Sequence, residues 1–196
     1  MKAMILVLTP EEGANLLNGD LSILARKKFP SDYVGWVYTY VTKDKDHDLF
    51  VENGKYQAYF RHNRKMHSKR LGQEPLNGKV IAKFWCDKVE EIIFSFSGMY
   101  TKSINHNELL KLSCLTNEEL EKHLPISNGK AIHVTDPKPF DEPKEISEFY
   151  KLGAWKVYEE QLDSSYIKRT EQEIMKSLGQ VLTSAPRNGW CYVEEI

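Results

Sequence analysis

The sequence predicts a single α+β domain built on a small mixed β-barrel. Strand-like segments are interleaved with short helical ones, without the regular strand–helix–strand repeat of a doubly wound sheet. Apolar strand-like segments stand at both ends of the chain, at 2–8 and 190–193, which indicates that the two ends meet in one sheet. The 196 residues, 41% of them hydrophobic, are enough to bury a core of this kind.

The first part of the chain predicts a strand, a short helix and two further strands. Thr9 is a good N-cap, Glu12 follows it at capping-box spacing, and Pro10 suits the first helical position. Gly19 is expected to end this helix. The next strands are predicted within 21–30 and 35–42.

The middle of the chain is less regular until strand character resumes near residue 79. Two short helices, a strand and a third helix are then expected, followed by an amphipathic helical segment, broken near 163–165. The predicted ranges are 78–96 (strand), 105–114 and 115–125 (helices), 129–140 (strand), 141–150 (helix) and 154–179 (helical).

The C-terminus predicts a central strand that closes the sheet or barrel. With a period of two residues, Trp190 and Tyr192 share one face, while Cys191 and Val193 share the other. Apolar side chains on both faces are typical of a strand covered on both sides. We therefore expect removal of this strand to unfold the protein.

Composition excludes several classes of function. The formal net charge of −1 gives no whole-molecule field for nucleic acid, so such a role needs a local basic patch. The three cysteines form no CxxC pair, the six histidines show no metal-ligand spacing, and neither phosphate-binding nor hydrolase motifs occur. Without a signal peptide or an apolar run of membrane-spanning length, we expect a cytoplasmic protein with no membrane contact, metal or cofactor.

One basic run, at 55–70, allows two interpretations. It contains Lys55, Arg61, Arg64, Lys65, Lys69 and Arg70 and no acidic residue, a net charge of +6 in 16 residues. Charge runs of this kind are usually solvated surface loops. Interleaved tyrosine and phenylalanine also suit phosphate neutralisation combined with base stacking. Both interpretations stay open.

Arg26, Lys27 and Lys28 end a predicted strand and also allow two interpretations. Three consecutive cations can protect a sheet edge against pairing with another chain. Alternatively, Arg26 lines a cleft beside the barrel mouth, where ligand pockets occur. Trp36 and Tyr38, on one face of the next predicted strand, can either fill the core or stack on a base.

The order of these segments resembles the ASCH domains of the PUA-like superfamily, in the versions found in bacteria and bacteriophages. The resemblance rests on the stretches at 1–30, 35–42, 78–92, 131–150 and 185–196, and covers the whole frame. It implies one domain over 1–196, with insertions at 43–78 (a basic loop) and 152–182 (helical). It also implies a cleft beside the first helix in which superfamily members hold RNA or flipped bases.

The family signature GxKxxxxR is only partly present. Gly19 and Arg26 match it, but the lysine position is Leu21 and the position of a catalytic hydroxyl is Leu24. Leucine cannot act as a base, nucleophile or cation. The resemblance therefore implies the binding cleft but not the amidohydrolase chemistry known for some members.

The sequence thus predicts a module that binds nucleic acid or a nucleotide, RNA rather than DNA, with no catalytic role assigned. The expected binding residues are Gly19, Ser22, Arg26, Lys27, Lys28, Trp36, Tyr38, Arg61, Arg64, Lys65, Lys69 and Arg70. One alternative is a hydrolase of a modified nucleoside or of RNA, using residues such as Arg26, Lys83, Glu90 and His133. A second alternative is a protein-interaction module that uses the helical face of 154–179.

Overall fold

The computed structural model describes residues 2–96, 98–124, 128–161, 170–187 and 189–196. Within these residues the strands are β1 Lys2–Leu8, β2 Ile23–Arg26, β3 Gly35–Val41, β4 His47–Glu52, β5 Lys55–Phe60, β6 Val80–Cys86, β7 Val89–Ser95, β8 Gly98–Tyr100, β9 Gly129–His133, β10 Thr135–Lys144 and β11 Trp190–Glu194. The helices are α1 Pro10–Asn18, α2 Arg64–Leu71, α3 His106–Ser113, α4 Asn117–His123, α5 Ala154–Gln161 and α6 Glu171–Ser177.

The strands form a curled, half-barrel arrangement of one mixed and one antiparallel sheet, accompanied by short helices, so the predicted α+β class is confirmed. One sheet has the order β10-β6-β3-β1-β11 and a second has the order β2-β9-β7-β8, while β4 and β5 form a separate hairpin. The β6–β10 and β7–β9 pairs are consecutive parts of one antiparallel ribbon, which bends from the first sheet into the second. The parallel β1–β3 pair makes the five-stranded sheet mixed.

The two ends of the chain meet, as the sequence predicts. β1 pairs antiparallel with β11 from Lys2 opposite Glu194 to Leu6 opposite Trp190. The Tyr38 hydroxyl donates a hydrogen bond to the carbonyl of Ile196 at 2.9 Å, which fixes the last residue as well. The C-terminus is therefore part of the sheet.

Helix α1 begins and ends as its sequence predicts. The Thr9 hydroxyl accepts from the Glu12 N–H at 3.2 Å, and the Glu12 carboxylate accepts from the Thr9 N–H at 3.0 Å, which completes the capping box. Gly19 ends the helix with a φ of 80°, a conformation that favours glycine. Glu12 is buried, so its carboxylate needs a partner for its charge in addition to the capping hydrogen bond.

The helix predicted over 141–150 is wrong. Strand β10 continues to Lys144 as an edge strand, and a 3₁₀ turn over Ile146–Glu148 follows it. Pro143 fits this edge position because an edge strand tolerates a residue without an N–H, and the register is irregular between Pro139 and Lys144. The proline that suggested a first helical turn instead belongs to a bulged strand.

The segment 43–78 is a hairpin and a helix instead of a basic loop. Asn53 and Gly54, with φ of 51° and 75°, form the two-residue turn between β4 and β5. The side chain of Asn18 at the end of α1 forms two hydrogen bonds with the backbone of Tyr56, at 2.8 and 3.0 Å, and so attaches the hairpin to α1. Leu49 of β4 is buried against α1 and the sheet.

The segment 154–179 is helical where it is described, in α5 and α6. The break predicted at 163–165 lies outside the described residues. Ile174 and Met175 are buried, whereas Trp155 is partly exposed. That 43–78 and 152–182 are insertions into a smaller frame stays a prediction. No helix of the described ranges is long and apolar enough to cross a membrane.

Candidate nucleic-acid interface

A shallow basic concavity of about 360 Å³ lies where β2 ends. The described residues that line it are Ala25, Arg26, Lys27, Lys28, His123 and Arg187, a set without a carboxylate. We call the four exposed members, Lys27, Lys28, His123 and Arg187, the cationic rim. Residues from the second strand, the fourth helix and the C-terminal turn thus meet on one surface.

The C-terminal turn is held against β2 by Trp190. The indole Nε1–H donates to the carbonyl of Lys28 at 3.0 Å, and the ring packs edge-on against Phe29 at 5.9 Å between centroids. The Gly189 carbonyl accepts from the N–H of Val7 at 2.7 Å, so the turn is also fixed to β1. This explains why the terminus carries large aromatics: they place Arg187 beside the two lysines.

The charges of the cationic rim are available for a ligand. Lys27, Lys28 and Arg187 are exposed, and within the described parts of the chain none of the three forms a salt bridge. Three like charges on one concave surface repel one another and attract an anion. The arrangement therefore suits consecutive phosphates.

Arg26 lies on the same concave surface, but its guanidinium is already occupied. Its Nη1 and Nη2 donate to the two carboxylate oxygens of Glu12 at 2.6 and 2.9 Å, and further bonds reach the carbonyls of Ala25 and Val7. The side chains of Arg26 and Glu12 are only 15% and 11% exposed. Arg26 therefore fastens α1, β1 and β2 together at the back of the rim.

A larger cleft of about 470 Å³ adjoins the rim and shares His123 with it. It lies between α1 and the α3–α4 pair, and its walls include Glu11, Asn15, Cys114, Glu119 and Lys122 as well. The backbone N–H of Thr116, with help from its hydroxyl, lowers the pKa of Glu119, so this wall stays negatively charged. The volume falls in the range of small-molecule sites.

The signature positions are mostly structural. Gly19 is the C-cap of α1, and Ser22 is fixed by backbone hydrogen bonds to Leu112 and Val134. Leu21 and Leu24 are buried in the core between the sheets. The positions at which family members carry a lysine and a hydroxyl thus offer no reactive group.

Trp36 and Tyr38 differ in their exposure to solvent. Tyr38 is fully buried beneath Phe149 and bonds to Ile196, so the expectation that it stacks on a ligand is wrong. Trp36 is only half-buried, at the open end of the same sheet face.

Two of the six cations in the basic run at 55–70, Arg64 and Arg70, are paired with acids of β4, which precedes the run. Arg64 forms a two-point ion pair with Asp48, whose side chain is 1% exposed, with the Nε at 2.7 Å. Arg70 pairs in the same way with Glu52. Arg61 donates to the carbonyl of Asp44. Lys65 and Lys69 remain exposed on α2.

The residues named for a hydrolase do not assemble. Only Glu90 and His133 meet, with 2.9 Å between the Glu90 Oε2 and the His133 Nε2. Burial alone would raise the pKa of Glu90, but hydrogen bonds from Ser103, Lys88 and His133 and the Lys88 charge lower it to about 2. A carboxylate of such low basicity is a weak general base at neutral pH.

Comparison with known proteins finds similarity to solved structures alone. Neither a family model nor a curated protein matches the sequence. Crystal structures of the ASCH protein of Zymomonas mobilis match over 91% of this chain and 95% of theirs, with 11% identity and a TM-score of 0.45. A point mutant of that protein matches over 93% of this chain and all of its own, with the same identity and TM-score. These structures are named as ASCH proteins, the family whose domains this sequence resembles.

Sequence reasoning missed two members of the cationic rim, Arg187 and His123. Arg187 lies in the turn before the aromatic strand, and the predicted meeting of the two chain ends was the signal that could have placed it near β2. His123 ends α4, and no pattern in the sequence relates that helix to β2.

Proposed function

We propose that this protein binds single-stranded nucleic acid, RNA in the first place, with the cationic rim on the phosphates and the adjoining cleft around a base. The observation that carries the proposal is the convergence of Lys27, Lys28 and Arg187 on one concave surface without a carboxylate. Single-strand binding proteins combine such basic grooves with sites for unstacked bases.

The cleft complements the rim in its chemistry. Asn15 offers an amide, and Glu119 offers a carboxylate that can accept a hydrogen bond from the exocyclic amine of a base, while the carboxylate of Glu11 already contacts the Nδ1 of His47. A duplex keeps these base edges paired, whereas a single strand can turn a base into a pocket. The acidic cleft behind a basic rim thus favours a single strand over a duplex.

The test is a salt-dependent titration of labelled oligouridine and oligocytidine with the double variant Lys27→Gln/Arg187→Gln. Each lost phosphate contact to a single strand should make the plot of log affinity against log salt shallower by about 0.7, so two lost contacts give about 1.4. We expect the affinity itself to fall on the order of ten-fold at low salt.

The matched control is Lys156→Gln/Lys176→Gln, which removes the same charge from exposed positions on α5 and α6. It should leave both affinity and slope nearly unchanged. Equal effects of the two double variants, or no binding by the wild type, would contradict the proposal. Intact RNA after prolonged incubation separates binding from hydrolysis in the same samples.

A further inference from the structure

A second group of cations and aromatics lies on the five-stranded sheet, away from the residues of the cationic rim. Trp36 of β3 is directly opposite Trp85 of β6, and Tyr38 is opposite Lys83. Lys138 of β10 is in turn opposite Lys83. Because cross-strand partners share a face, these side chains lie together on one side of the sheet.

Part of this face is open. Tyr38 is buried under two rings from the segments that follow β9: Phe140 stacks on it, and Phe149 meets it edge to face. Trp36, Trp85 and Lys83 are half-buried, and Lys138 is 52% exposed. Along β3, this face is therefore covered at Tyr38 and accessible at Trp36.

The two lysines form an unusual pair. Like charges directly opposite each other on neighbouring strands are unfavourable. Here both ammonium groups lie over the Trp36 ring, with Nζ to centroid distances of 4.7 Å for Lys83 and 5.0 Å for Lys138. The Trp36 ring thus holds both ammonium groups close to one point of the surface, where one anion can contact both of them.

Carboxylates compensate the charges of Lys83 and Lys138 only weakly. Lys83 forms no salt bridge among the residues that the structure describes, and Lys138 pairs at 2.7 Å with Asp136, whose side chain is also largely exposed. An exposed pair of this kind is weak and exchanges readily with another anion. Both ammonium groups can therefore contact a phosphate.

The aromatic pair supplies the second part of a nucleotide site. The Trp36 and Trp85 rings meet edge to face, 5.3 Å apart at 80°. Trp36 carries the two ammonium groups, whereas no cation of the described residues lies over Trp85. Trp85 is thus the ring left for stacking, which is the contact that sheet-based single-strand binders use for bases.

We propose that Lys83, Lys138, Trp36 and Trp85 form a second contact for single-stranded nucleic acid, in which the lysines hold a phosphate and Trp85 stacks on a neighbouring base. The inference rests on the proposed function, because it assigns the same class of ligand to a further surface. It extends the binding track beyond the cationic rim.

The test is the double variant Lys83→Gln/Lys138→Gln, titrated with the same labelled oligouridine as the rim variant and the Lys156→Gln/Lys176→Gln control. The expected result is a slope of log affinity against log salt that is shallower by about 1.4 and an affinity lower on the order of ten-fold. Circular dichroism checks that the variant is folded.

A second measurement addresses stacking directly. Oligouridine should quench part of the tryptophan fluorescence of the wild type, and Trp85→Phe should lose most of that quenching while it keeps an aromatic ring at this position of the sheet. Trp155→Phe, on α5, is the matched control and should retain the quenching. Equal quenching in wild type and Trp85→Phe would contradict stacking on Trp85.

The variants separate failure of this inference from failure of the proposed function. If the rim variant loses affinity and Lys83→Gln/Lys138→Gln does not, the second contact is overturned and the rim stands. If only Lys83→Gln/Lys138→Gln loses affinity, the rim is overturned and this site stands. If the wild type binds neither oligouridine nor oligocytidine, or neither variant differs from the control, both are overturned.

Discussion

The two basic regions of this molecule contrast in how their charge is used. The run at 55–70 has six cations in 16 residues, yet Arg64 and Arg70 are paired with Asp48 and Glu52 of the neighbouring strand. The cationic rim has fewer cations, which come from distant parts of the chain, and its lining holds no carboxylate. We therefore propose the smaller group, on its concave surface, as the binding surface.

The difference shows that a local count of charges is a poor measure of the local field. A carboxylate outside the counted window cancels an arginine within it, and a fold can bring together cations that no window contains. The same distinction applies between the rim and its neighbour, because the largely buried Arg26 pairs with Glu12, whereas the exposed Lys27 forms no salt bridge among the described residues. The predictions below test this separation.

The largest expected effect is the loss of stability in Arg26→Met. The change leaves the buried Glu12 carboxylate without its guanidinium partner, and removing one member of a buried pair typically costs roughly 3 to 5 kcal/mol. Urea unfolding should show a loss of this size. Lys27→Met, at the adjacent exposed position, should stay within about 0.5 kcal/mol of wild type.

A stable Arg26→Met variant that no longer binds RNA would reverse this assignment, because Arg26 would then be a ligand-binding residue, as the sequence predicts. Glu12→Gln provides a further control, since the amide keeps an acceptor for the capping box but removes the charge. Added to Arg26→Met, it should recover part of the lost stability.

The next effect concerns Glu90, another largely buried carboxylate, which accepts hydrogen bonds from Ser103, Lys88 and His133. Its side chain is 7% exposed and its pKa is lowered to about 2, whereas an unfolded glutamate titrates near 4.5. A lowered folded-state pKa gives stability that is fully present above the unfolded pKa and is lost as the pH falls towards the folded one. Glu90→Gln should therefore lower the free energy of unfolding on the order of 2 kcal/mol at neutral pH.

The pH dependence provides the sharper check of Glu90. The difference between wild type and Glu90→Gln should be constant above the unfolded pKa and should shrink as the pH falls from about 4.5 towards 2. Chemical unfolding at a series of pH values measures it. A difference that does not change over this range would show that the interactions of Glu90 do not depend on its charge.

Much of the fold was predictable because its signals are local. The capping boxes of α1 and α4, the alternation along β3 and the apolar ends of the chain each specify an element from a few neighbouring residues. The Asn53–Gly54 turn was an equally local signal of the β4–β5 hairpin and was overlooked. Pro143 misled because proline suits both a first helical turn and an edge strand, and only the pairing with β6 decides between them.

The site was less predictable because it depends on pairings between distant residues. Lys27 and Lys28, which the sequence predicts to bind a ligand, line a concave surface, but the sequence could not show that Arg26 pairs with Glu12. Tyr38 looked equivalent to Trp36 by periodicity, yet Phe149 covers only Tyr38. Such differences arise from tertiary packing, which strand periodicity does not contain.

The smallest expected effect is that of Lys65→Gln/Lys69→Gln on α2. These lysines are exposed one helical turn apart, and the sequence predicts that they contact nucleic acid. If they act only through the field that they add to the protein, the affinity for oligouridine should fall roughly two-fold at low salt. The loss should disappear when salt shortens the screening length.

The variant Lys65→Gln/Lys69→Gln tests whether the run at 55–70 binds phosphate directly or adds only to the long-range field. It removes the same charge as Lys27→Gln/Arg187→Gln, so a difference between the two variants reflects position alone. A loss as large as that of the rim variant, with a salt slope shallower by about 1.4, would mean that α2 also binds phosphates directly. In that case the paired arginines Arg64 and Arg70 would serve to hold the helix in place while its lysines bind, and the binding track would include both basic regions.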